Sequence, residues 1–374
     1  MKRKCPAIIL TALIIMMIFT SCGGKTVKQS YSIKKDEKFN AVFVKVSIDE
    51  FIASGFHFGD SCDVEFSNGF SLKDIPFYSG YYVHTGAPVI VGYPGYEYIA
   101  VTRQNQGLWD EFRLSENDTA VVTLRREGKY KNIQDTLSLT YTNNKADYRD
   151  DIQFSNFRAL STGNLKENFL YRGASPVDNQ KNRAATVDAL LEKNKIQFIL
   201  DLADSEEEYL GYQKEADFSS NYSTALYIKG NTALLDMGSD YRADIYKQKL
   251  AGGLRKMISA QGPVYIHCLE GKDRTGFVCF LLESLAGACY DEMLSDYMKT
   301  YENYYGFTKT DDSERFNAVA SLYFYDFTSY LQGTQDSDTL KNADYSSCAV
   351  KYLIEAGMTE KEIAALRNMI TKKS

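Results

Sequence analysis

Between Gly262 and Leu285 the chain passes from a turn to an apolar strand and on to an apolar helix through ten residues, His267 to Gly276, that read HCLEGKDRTG. Gly262-Pro263 supplies the turn, Val264 to Ile266 the strand, and Phe277 to Leu285 the helix-like run. A strand that enters a helix through a tight loop commits the surrounding chain to an α/β layer. The pattern on either side agrees. Ala184, Val187, Leu190 and Leu191 recur at helical spacing within 178–194, and Ile196 to Leu202 then reads as a buried parallel strand. Helices follow over 246–258 and 291–305, and Thr359 with Glu362 makes a capping box for a last helix that carries Ile363, Leu366 and Ile370 inward.

Each residue of the corner has a physical task. Five residues between Cys268 and Arg274 curl the loop so that backbone N–H groups converge at the amino end of the helix, a nest for a tetrahedral dianion. Gly271 permits the positive dihedral that such curling needs. Arg274 grips two oxygens with its planar fork. Cys268 lies in the same field, which favours its thiolate and makes it the expected nucleophile. Thr275 donates its hydroxyl to the sulfur, and His267 orders the loop. Leu269, Glu270, Gly271, Lys272, Thr275 and His267 are the expected phosphate-binding set, with Lys272 adding a second cation at the mouth.

The HCLEGKDRTG run resembles the phosphate loop of the bacterial cysteine-dependent tyrosine phosphatases, which often also accept phosphoinositides. Asn156-Phe157-Arg158 and Tyr171-Arg172-Gly173-Ala174-Ser175 resemble two further elements of that family, and IQFILDL resembles its strand ending in DLR. Ala159 replaces the usual acid of the first element and Ala203 the usual arginine of the strand. The resemblance covers roughly residues 150 to 374 and implies two-step transfer through a phosphocysteine on Cys268. It leaves the general acid open. Asp273, inside the loop, is preferred as in the GKDR subgroup; Asp240, in a stretch upstream that also holds Asp236 and Asp244, is the alternative.

Lys2, Arg3 and Lys4 precede an apolar run from Ala7 to Phe19 and then Thr20-Ser21-Cys22-Gly23. This resembles a lipoprotein signal over residues 1–22, with lipid on Cys22, and implies a protein held at a bacterial membrane surface outside the cytoplasm. Residues 23–40 read as a solvated tether. From 41 to 148 the chain alternates, with Val42, Val44 and Val46 on one face, Cys62, Val64 and Phe66 on another, and an Asn68-Gly69 hairpin turn. Strands are expected at 88–91, 96–101, 119–124 and 136–141, so a small all-β barrel or sandwich precedes an α/β phosphatase-like domain over 149–374, with a mostly parallel sheet flanked by helices. A polar surface loop is expected over 332–342.

Net charge is −6 and no long basic run occurs, so nucleic acid is not an expected partner. Three histidines and no zinc-like spacing leave no expected metal site or cofactor. Of seven cysteines, Cys62, Cys279, Cys289 and Cys348 read as small, mostly buried apolar residues. Three functions fit: hydrolysis of phosphotyrosine proteins or peptides, for which phosphoserine is too short in a deep pocket; hydrolysis of phosphoinositides or inositol phosphates, for which Lys272 and Asp273 argue; and an inactive phosphate-binding surface protein.

Overall fold

The computed structural model describes residues 27–104 and 106–372. Seven short strands close into a barrel: β1 (Lys28–Lys35), β2 (Val42–Val44), β3 (Ser61–Phe66), β4 (Ser71–Tyr78), β5 (Pro88–Val91), β6 (Ile99–Arg103) and β7 (Thr119–Arg126), in the spatial order β1-β2-β6-β5-β4-β3-β7. Alternation selects the inward set: Val42, Val44, Cys62, Val64 and Phe66 are all buried. Phe51, from the helix Ile48–Ala53, stacks on Phe56 at 4.2 Å and meets Phe77 edge-on at 4.9 Å inside the barrel. The hairpin between β3 and β4 turns at Asn68-Gly69, where Gly69 takes φ +95°. Every ladder is antiparallel except β4 with β5, which run parallel and are joined by the crossover 79–87.

Five strands form the second sheet, β8 (Arg158–Ala159), β9 (Leu170–Gly173), β10 (Phe198–Asp201), β11 (Thr232–Leu234) and β12 (Val264–His267), in the order β11-β10-β12-β9-β8. All pairs are parallel except β8 with β9. Alternate residues feed two cores. Phe198, Leu200, Val264 and Ile266 pack with the helices Asp244–Met257 and Asp273–Leu285, while Ile199 and Tyr265 pack with Ala184–Lys193 and Asn221–Ile228. Asp201, His267 and Gly173 are register partners at the carboxyl ends of β10, β12 and β9. That edge is where an open α/β sheet places its ligand. Thr359 and Glu362 form the expected capping box, and Ile363, Leu366 and Ile370 are buried.

Four expectations are corrected. The tether over 23–40 contains β1, a polar strand that pairs with β2 and β7 and buries Ile33 fully. The strand expected at 136–141 overlaps the helix Lys131–Leu137 and continues as irregular chain, because Leu137 packs into the core of the second unit and Tyr141 stacks on Tyr304 at 5.1 Å. Residues 137–148 therefore lie on the second unit. The polar stretch 332–342 holds the helix Ser337–Lys341, which Asp336 caps and buried Leu340 anchors. Cys289 is exposed, and it serves as N-cap of the helix Tyr290–Tyr305. The expected signal and Cys22 lie outside the described residues. Among the described residues, no helix is long and apolar enough to cross a membrane.

Candidate active site

The loop from Cys268 to Asp273 leaves β12 and enters the helix Asp273–Leu285. Its curl is enforced from both sides of the chain. Gly271 takes φ +67°, and a Cβ there would sit 2.2 Å from the Gly173 carbonyl oxygen, so glycine is required both for dihedral and for space. The Gly271 carbonyl accepts from Arg172 Nη2 at 2.9 Å and from Asn156 Nδ2 at 3.2 Å, and the Leu269 carbonyl accepts from Ser175 N at 3.0 Å. Asn156, Arg172 and Ser175 belong to the two upstream elements singled out in the sequence. Arg172 is itself held by Asp296, at 2.6 Å, and the same carboxylate takes Arg158 at 2.7 Å. Ala159 brings no acid to β8; the acid facing Arg158 comes from Asp296, on the helix Tyr290–Tyr305.

Cys268 is 4% exposed at the floor of the loop. Arg274 Nη1 donates to the Met237 carbonyl at 3.0 Å. Burial works against the Arg274 charge, but Cys268, Asp201, Tyr246 and Asp204 outweigh it and hold the guanidinium above its ordinary range. Thr275 is buried and its hydroxyl has no partner among the described residues, which leaves it available to a sulfur or a bound anion. Tyr246 also buries an unpartnered hydroxyl, in the field of Arg274 and Cys268.

Beneath the loop lies an acidic floor that the sequence did not reveal. His267 Nε2 is 3.7 Å from Asp201 Oδ2, its Nδ1 is 3.4 Å from the Cys268 carbonyl, and burial pushes the imidazole down to about 4, so the ring is neutral at neutral pH. Asp201 Oδ1 accepts from Ala203 N at 2.9 Å and Asp204 N at 3.1 Å. Burial lifts the Asp201 carboxyl to about 6 and the Asp204 carboxyl to about 8. Ala203 offers a backbone amide where the resembling family carries arginine.

The mouth is aromatic and its charges are paired. Lys272 Nζ lies 3.9 Å from Glu270 and 3.8 Å from Asp273, and Lys181 Nζ lies 3.8 Å from Glu270. The Tyr141 hydroxyl donates to the Glu270 carboxylate and the Tyr304 hydroxyl donates to the Glu270 carbonyl at 2.7 Å. Burial opposes the Lys272 charge, while Asp273, Tyr305, Tyr301 and Glu270 hold it well above its usual range. The two candidate acids differ. Asp273, in the first helical turn, is 57% exposed and faces Lys272. Asp240 is half-buried on the segment between β11 and the helix Asp244–Met257, and burial raises its carboxyl.

Residues 152–372 match the tyrosine phosphatase family. The chain belongs to that family. A "putative tyrosine-protein phosphatase" of Cupriavidus necator is 36% identical over 67 residues, 17% of this chain and 23% of its own length, so less than a quarter of that relative is spanned. Among solved structures, the chain is similar to the core catalytic domain of the PP-IP phosphatase SIW14 from S. cerevisiae in complex with citrate, at 20% identity and TM-score 0.26, covering 44% of this chain and 91% of that one. P. aeruginosa TpbA in complex with pTyr matches at 17% identity and TM-score 0.27, covering 50% and 94%.

Proposed function

We propose that the chain is a protein tyrosine phosphatase that works through a phosphocysteine on Cys268. The thiolate attacks phosphorus, the ester P–O bond breaks, and Asp240 gives its proton to the departing phenolate oxygen. Water then attacks phosphorus and returns a proton to the Asp240 carboxylate, the P–S bond breaks, and inorganic phosphate leaves with Cys268 restored as thiolate. Arg274 and the loop amides hold the equatorial oxygens through both steps, and the Thr275 hydroxyl eases sulfur departure. Asp240 suits the acid better than Asp273, because it is half-buried on the segment whose Met237 carbonyl holds Arg274, whereas Asp273 is more than half exposed beside a lysine.

The observation that carries the choice of substrate is the mouth. Its two lysines are each matched to carboxylates at 3.8–3.9 Å, and tyrosines surround them. This supports one buried phosphate with an aromatic leaving group and disfavours a polyphosphorylated inositol ring, which needs unmatched cations. Phosphate release from a phosphotyrosyl peptide, a phosphoseryl peptide and phosphoinositides, beside Cys268→Ser, is the test: preference for phosphoinositides overturns the reading, and no turnover under reducing conditions reduces the loop to a binding site. We propose in addition that lipid on Cys22 holds the enzyme at the outer side of a bacterial membrane. Incorporation of labelled fatty acid, absent in Cys22→Ser, checks it.

A further inference from the structure

The segment that carries Asp240 is fastened by one carboxylate from outside the sheet. Asp326, on the helix Tyr325–Gln332, accepts through Oδ1 from Arg242 Nη2 at 2.9 Å, and through Oδ2 from the Tyr241 hydroxyl and from Thr85 Oγ1, the last at 2.9 Å. Tyr241 and Arg242 directly follow Asp240. Thr85 comes from the β4–β5 crossover of the barrel. The rest of the fastening is equally close. Tyr241 is buried, stacks at 4.3 Å on Phe277 of the helix after the phosphate loop, and accepts the Tyr352 hydroxyl on its carbonyl at 2.7 Å. The Arg242 guanidinium lies over the Tyr241 and Tyr330 rings at 4.8 and 5.0 Å, and Asp240 Oδ1 takes Arg242 N at 3.1 Å.

We infer that Asp326 is a positioning residue for the general acid and that the barrel, through Thr85, is part of that device. The inference rests on the assignment of Asp240. Its physical basis is that a general acid works only within hydrogen-bond reach of the leaving oxygen, and a displacement of roughly 1 Å costs on the order of 100-fold. Residues on the amino side of Asp240 are tied to Arg274 through the Met237 carbonyl, so they answer to bound phosphate. Those on the carboxyl side answer to Asp326. The acid sits where the two holds meet, and one of them reaches into the barrel.

The test uses the full chain with Asp326→Asn, Thr85→Val and, for reference, Asp240→Asn. Each is assayed on a phosphotyrosyl peptide, whose basic phenolate needs a proton, and on para-nitrophenyl phosphate, whose much less basic phenolate depends on one far less. Melting temperatures are measured alongside. Expected are losses in kcat/KM, which reports formation of the phosphocysteine alone, on the peptide of about 100-fold for Asp240→Asn, about 30-fold for Asp326→Asn and about 5-fold for Thr85→Val, with the loss on para-nitrophenyl phosphate several-fold smaller in each case. If Asp240→Asn shows this leaving-group dependence while Asp326→Asn and Thr85→Val lose both substrates equally or neither, the positioning role is overturned and the acid assignment stands. If Asp240→Asn itself shows no such dependence, the acid assignment fails and the positioning role falls with it. Should Asp326→Asn fail to fold, Thr85→Val, which removes one hydroxyl, decides alone.

Discussion

A buried aspartate of the barrel and the buried pair under the loop of the second unit are treated in opposite ways. In the barrel, Asp60 accepts from His57 N and from Gly128 N, each at 2.7 Å, one amide per oxygen. Under the phosphate loop, Asp201 and Asp204 face each other side chain to side chain, no other group answers their second oxygens among the described residues, and burial raises both carboxyls. The first arrangement closes a turn at the barrel rim. The second holds Asp204 as an acid and leaves Asp201 as the anion beside Arg274, whose charge it sustains. A fully answered charge is architecture, whereas one left partly unanswered in a dry site is poised for a ligand or a proton.

The sharpest contrast is between two buried cysteines. Cys268→Ser is expected to lower kcat by at least ~10⁴-fold with the fold intact, while Cys62→Ser in the barrel costs about 1–2 kcal/mol in urea melts and leaves kcat/KM within about 2-fold. Equal losses of activity would erase the distinction between the units. Two glycines with positive φ come next. Gly271→Ala forces a Cβ against the Gly173 carbonyl and is expected to lower kcat/KM by about 100-fold or more. At Gly69 a Cβ meets nothing within 4 Å, so Gly69→Ala costs about 1 kcal/mol of stability and no activity.

Asp204→Asn probes the acidic floor. A carboxyl raised to about 8 in the fold contributes stability that is complete below its unfolded pKa near 4 and is lost as pH rises through 8. The wild type is therefore expected to lose melting temperature between pH 4 and 9 at this site, and Asp204→Asn to exceed it by roughly 2–6 °C at pH 8.5 but not at pH 5. A parallel pH dependence in the variant would remove Asp204 as the cause. The smallest effect belongs to Tyr93, a barrel residue 44% exposed whose hydroxyl lies in the field of Lys272, Glu270 and Asp273. Tyr93→Ala is expected to raise KM for a phosphotyrosyl peptide about 3-fold and to leave para-nitrophenyl phosphate unchanged. A shift for both substrates would place the barrel's influence inside the pocket and not at its rim.

The phosphate loop and the parallel sheet were legible because they are local: spacing fixes the curl, and apolar runs fix the strands. Gly271 was identified for its dihedral, but its close approach to Gly173 joins segments about 100 residues apart and leaves no local trace. Strand β1, KQSYSIKK, was hidden by its polarity, since only Ile33 is fully buried and the ladder, not the side chains, keeps it in place. Asp296, Asp326 and Asp204 look like ordinary surface acids in sequence, and Asp201 reads only as part of a buried strand; Asp296 and Asp326 take their roles from arginines and a tyrosine on distant elements, Asp201 and Asp204 from burial against each other and His267. For the acid the sequence preferred Asp273, and burial, which no spacing reports, is what moves the preference to Asp240.

Parallel neighbours cannot be joined by a tight hairpin. The β4–β5 pairing thus obliges the barrel to carry a long detour over 79–87, and that detour brings Tyr82 against the core of the phosphatase unit and Thr85 to Asp326. An all-antiparallel meander of the same strands would close as well without that arm. One reversed strand direction turns a self-contained barrel into an outrigger, and trimming its arm by two or three residues would remove the Tyr82 and Thr85 contacts without opening a single ladder.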